Sequence, residues 1–80
     1  MTILQEVLTE EYVRLANLKT MYLDILKEES KGTDRWKHYK RRIREVKADM
    51  RRIRRAMGFQ LFPAVKRFRN EKDRQRRTGE

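Results

Sequence analysis

The chain has 80 residues, 38% hydrophobic and 42% charged, with no cysteine and a formal net charge of +10. That length allows one small domain with a modest core, and the lack of thiols excludes disulfides, thiolate zinc sites and a cysteine nucleophile. No apolar run approaches the ~20 residues of a membrane span, so no membrane partner is expected.

The opening stretch, MTILQEVLTEE, is acidic and amphipathic, unlike a secretory or mitochondrial leader. A cytoplasmic location is the default. Charge is split between the halves. Residues 1–34 carry four basic and seven acidic groups, a balance of −3; residues 35–80 carry eighteen basic and five acidic, a balance of +13. Such polarity points to an anionic partner for the second half, most commonly nucleic acid.

Thr2, with Gln5 three residues on, matches a capping box and predicts a first helix over about 2–30. Leu4, Leu8, Leu15, Leu18, Tyr22 and Ile25 form its stripe, broken at the inward position by Glu11 and flanked by Val7, Tyr12, Met21 and Leu26. That stripe is wide enough to touch two neighbours. Ser30-Lys31-Gly32-Thr33-Asp34 then reads as a turn: Gly32 closes the first helix in a left-handed conformation, and Thr33 or Asp34 caps the next. So short a loop between long helices makes them antiparallel neighbours.

The second helix is expected over about 35–57, ending at Gly58. Trp36, Tyr39, Ile43, Val46, Met50, Ile53 and Met57 step by threes and fours, the seam of a helix packed lengthwise on another. Pairing should set Trp36 and Tyr39 near Ile25 and Tyr22, and Met50, Ile53 and Met57 near Leu8 and Leu4. Phe59, Leu61 and Phe62 are too apolar for a solvated linker. Pro63 suits the first position of a short third helix over about 63–75, with Val65 and Phe68 on one side, followed by a basic C-terminal tail. The fold class is therefore all-α: an antiparallel helical hairpin plus a short third helix, all within one domain over 1–80.

Catalytic chemistry has little to work with. Ser30 and His38 are the sole serine and histidine; the first lies in the turn and the second among lysines. One His without Cys cannot make a usual zinc site, and there is no glycine-rich phosphate loop. Glu45 and Asp49 are better placed for local ion pairs, such as Asp49 with Arg52. No enzyme activity, cofactor, metal or small-molecule substrate is expected.

The outward positions of the second helix are the candidate nucleic-acid site: Lys37, Lys40, Arg41, Arg44, Lys47, Arg51, Arg54 and Arg55, extended by Arg74, Arg76 and Arg77 of the tail. Arg outnumbers Lys there, and its planar fork suits phosphate oxygens. The segment resembles, in charge alone, the basic region of leucine-zipper factors, without that family's Asn and Ala-Ala signals. Asn and Gln, the usual adenine readers, do not occur between residues 35 and 57. Phosphate contact with weak sequence preference, to DNA or RNA, follows. Trp36 and Tyr39 are expected to close the core, with stacking on unpaired bases as the alternative.

Phe59, Leu61, Phe62, Val65 and Phe68 either fold back onto the hairpin or form a protein-interaction patch. Self-association, through these residues or through the broad first-helix stripe, is one use of such surfaces. The competing reading is an adaptor docking into a larger protein or nucleoprotein assembly. Small basic helical chains are similar in kind to accessory proteins of phages and mobile elements, which is analogy.

Overall fold

In the computed structural model, which describes residues 2–78 and their side chains through Arg74, Thr2 opens the first helix as the sequence implies. Its Oγ1 accepts from the Gln5 N–H at 3.2 Å, and Gln5 Oε1 accepts from the Thr2 N–H at 3.1 Å. Two donors that no helical carbonyl could reach are thereby satisfied. Helix α1 runs Ile3–Glu28.

Helix α2 runs Asp34–Met57. Gly32 has the expected positive φ, +86°, but it does not end α1. That helix stops at Glu28 with extended Glu29 as its cap. Gly32 instead takes the third position of the turn Ser30–Thr33, closed by the Thr33 N–H donating to the Ser30 carbonyl at 3.3 Å. Thr33 then caps α2, accepting from the Trp36 N–H at 3.2 Å. An Arg35–Glu29 ion pair at 3.2 Å ties the two sides of the loop.

The hairpin seam on α2 is the expected one: Ile43, Val46, Met50, Ile53 and Met57 are all buried. At the loop end the Tyr22 and Tyr39 rings lie 5.8 Å apart, tilted, and Trp36 is half-buried. The partner row on α1 differs from the expected stripe. Leu15 is buried, and Leu8, Tyr12 and Tyr22 pack beside it, whereas Leu4 is 67% exposed. Glu11 shares the arc of Leu4 and Leu18, and burying its carboxylate would be costly. The helix is turned so that Tyr12 faces inward and Glu11 stays half-exposed beside Arg14.

Gly58 ends α2 with φ +58° and ψ −132°, and its N–H donates to the Arg54 carbonyl. A 3-10 turn, Gly58–Gln60, leads without a break into helix α3, Leu61–Thr78. The third helix therefore starts two residues before Pro63 and is longer than the expected 63–75. Pro63 sits third in it, where a missing N–H still costs no helical bond. The backbone that was expected to be a basic tail is helical through Thr78.

Helix α3 turns back onto α1. Leu61 is fully buried and Ala64 nearly so, with Val65 packed against the same cluster. They meet Thr9, only 2% exposed, whose hydroxyl donates to the Gln5 carbonyl at 2.7 Å and lies 3.6 Å from Met57 Sδ. Small Thr9 and Ala64 let the helices approach, and the hydroxyl needs no water because its own helix supplies the acceptor. The Gln5 and Gln60 side-chain amides bond across the same corner. Among the described residues there is no strand. The molecule measures 43 × 35 × 15 Å, little thicker than one helix with its side chains.

An alanine side chain at Gly58 would meet no atom within 4 Å, so its cost lies wholly in the positive φ. Gly58→Ala should destabilise the fold by about 1–3 kcal/mol, read as a lower urea midpoint by circular dichroism with the slope preserved. An unchanged midpoint would show that the corner is not held in this conformation.

Candidate nucleic-acid interface

Helical periodicity places the α2 seam on one side and divides the rest of the helix into two flanks of different charge. One flank carries Lys37, Lys40, Arg41, Arg44, Lys47, Arg51, Arg54 and Arg55, all exposed. Within it Lys40, Arg44, Lys47, Arg51 and Arg54 recur at four, three, four and three residues, forming a straight ridge beside the buried row. At 1.5 Å per residue the ridge from Lys40 to Arg54 is about 21 Å long, roughly six-tenths of a helical turn of duplex DNA.

The other flank carries the acids. Glu45 accepts from Arg42 at 3.2 Å, and Asp49 lies 3.7 Å from Arg52, the pairing expected from its spacing. The Tyr22 phenol, and secondarily Glu45, hold the Arg42 guanidinium above its usual range. Arg35 is taken by Glu29. Each α2 arginine with a carboxylate partner thus lies outside the candidate set, and none of the eight forms an ion pair among the described residues. Those eight charges are without a carboxylate among the described residues.

Trp36, Lys37, Lys40, Arg41 and Arg44 line a shallow depression at the loop end of the ridge. Lys40 Nζ stands 5.3 Å from the Trp36 ring centre, a cation–π contact that fixes the start of the ridge. Trp36 is half-buried and also lines the basic depression. His38 packs edge-on against Tyr39 at 5.2 Å, outside the single-sign flank. Among the described residues no group of three His, Cys, Asp or Glu could hold an ion.

Arg74 is exposed on α3, away from the α2 ridge in sequence and on a separate helix. Arg76 and Arg77 belong to the helical backbone of α3, but their side chains lie outside the described residues. The expected protein-interaction group does not form one surface. Leu61 is buried, Val65 and Phe68 are half-buried against the hairpin, and Phe59 and Phe62 are 100% and 66% exposed. Their helical phase explains the split: Leu61, Ala64, Val65 and Phe68 share the face toward α1, and Phe62 points away.

Sequence reading missed Thr9 and Ala64, which are small and carry no periodic apolar signal; only the need for close approach where α3 crosses α1 selects them. It also treated all outward charges of α2 alike. The acids at positions 45 and 49 are spaced so as to neutralise one flank and leave the other intact. No helix among the described residues is long and apolar enough to cross a membrane. Comparison with protein families, curated proteins and solved structures finds no match to this chain.

Proposed function

We propose that the chain is a non-enzymatic nucleic-acid-binding protein that contacts phosphates through the single-sign flank of α2. The observation that carries this reading is the sorting of charge: eight exposed basic side chains on one flank without a carboxylate partner among the described residues, and the acids of α2 confined to the other. A solubilising face would interleave signs and neutralise itself locally. A rigid row of Arg and Lys matches the repeating charge of a phosphate backbone, and binding releases its condensed counterions. With no Asn or Gln on α2, base-edge discrimination is weak and DNA and RNA are both candidate ligands. Arg74, Arg76 and Arg77 extend the positive charge.

Binding to unrelated DNA and RNA duplexes should fall steeply with salt. The triple variant R51A/R54A/R55A should weaken binding to all sequences and lower the salt slope by about 3. The double variant R42A/R52A removes two arginines from the carboxylate-paired flank and should leave that slope almost unchanged. Losses in proportion to the charges removed, three to two, would show that net charge, not the ridge, drives binding. No binding at low salt would overturn the proposal.

Phe59 and Phe62 support a second reading, an adaptor docking into a larger assembly, because two exposed phenyl rings at one helix corner are a protein-binding feature. The variant F59A/F62A separates the two. Under the phosphate reading its affinity for DNA and RNA stays within twofold of the parent. Loss of a co-purifying protein in this variant, in a parent that binds neither nucleic acid, would favour the adaptor.

A further inference from the structure

Helix α1 has three sides, and the fold covers two. Leu8, Tyr12, Leu15 and Tyr22 face α2, while Thr9 and Val13 line the clefts against α3. On the third side Leu4, Val7, Glu11, Arg14, Leu18 and Met21 recur at three, four, three, four and three residues, a second heptad seam beside the buried one. Leu4 is 67%, Val7 56% and Met21 49% exposed, neighbouring Ile3 is 80% exposed, and Leu18 is half-buried. At its centre Glu11 and Arg14 form an ion pair, with side chains 41% and 61% exposed.

The order of these six residues is self-complementary in one orientation only. Laid antiparallel on a second copy, with the two-fold axis beside Tyr12 and Val13, Leu4 meets Met21 of the second copy and Val7 meets its Leu18. Glu11 meets its Arg14, and the symmetry repeats each contact. Shifting the register by one heptad sets charge against apolar side chains. A parallel, in-register pair sets Glu11 on Glu11 and Arg14 on Arg14, which repel. We propose that α1 is the homodimer interface of this protein, and that the Glu11–Arg14 pair selects the antiparallel register. The inference stands apart from the proposed phosphate binding, since it uses no residue of the α2 ridge.

The test uses the full chain, freed of nucleic acid by nuclease and held at moderate salt to screen repulsion between the two basic copies. Sedimentation should give a dimer that dissociates on dilution. E11R, which opposes two arginines, should halve the mass while circular dichroism confirms that the helices persist. The swap E11R/R14E should restore the dimer. A parent that is monomeric at all concentrations, or a swap that behaves like E11R, would overturn the proposal.

Because the chain has no cysteine, orientation can be read separately by oxidation. A mixture of Val7→Cys and Leu18→Cys chains should cross-link to each other, and Val7→Cys alone should not. Self-cross-linking of Val7→Cys, or no cross-link in the mixture, would equally overturn the antiparallel interface.

Discussion

Everything in this fold depends on the seam between α1 and α2. Ile43, Val46, Met50, Ile53 and Met57 bring apolar surface to a line along a helix whose other positions are almost all charged. Without Leu8, Tyr12, Leu15 and Tyr22 across from them, that line would face water. The turn at Ser30–Thr33 keeps the two helices close enough in sequence for the pairing to be local, and local contacts are entropically inexpensive to form. The third helix adds a lid on one end rather than a second core: Leu61 and Ala64 cover Met57 and Thr9, and the charged side chains of α3 from Lys66 to Arg74 are exposed.

The seam also determines the electrostatics. Once one face of α2 is committed to α1, its remaining surface is two flanks, and the few acids all fall on one of them. Glu45 and Asp49 are occupied by Arg42 and Arg52. The opposite flank is left with concentrated positive charge on a rigid rod, its spacing set by helix geometry. An acidic α1 does not neutralise this charge, because its carboxylates lie at other angles and in part serve Arg14 and Lys27. Attraction between the halves and an open demand for anions therefore coexist in one small molecule.

Much of this was legible in the sequence. The α2 seam, the Thr2 capping box, the short turn and the stop at Gly58 each rest on strong local signals: strict three-four spacing, a reciprocal side-chain pattern, and glycine at positive φ. What was not legible involved choices among near-equal alternatives. Helix α1 offers more apolar residues than one partner can cover, so its rotation was decided by where Glu11 could remain wet. Phe59 and Phe62 look like core residues by composition. Phe59 falls in the turn before α3, and Phe62 is exposed because the face of α3 toward α1 is taken by Leu61, Ala64, Val65 and Phe68. Pro63 suggested a later start, since a proline is equally comfortable at the first and third positions of a helix.

The 15 Å thickness of the molecule has a thermodynamic consequence. So thin a layer has little interior beyond the α1–α2 seam and the corner where Leu61 and Ala64 meet Thr9, so unfolding exposes little apolar area for the number of residues involved. The heat-capacity change and the enthalpy of melting are correspondingly small, and the dependence of stability on temperature is shallow. In such a molecule the intrinsic free energy of folding is easily rivalled by the free energy of ligation. Its melting temperature then reports what is bound to it as much as how it is packed.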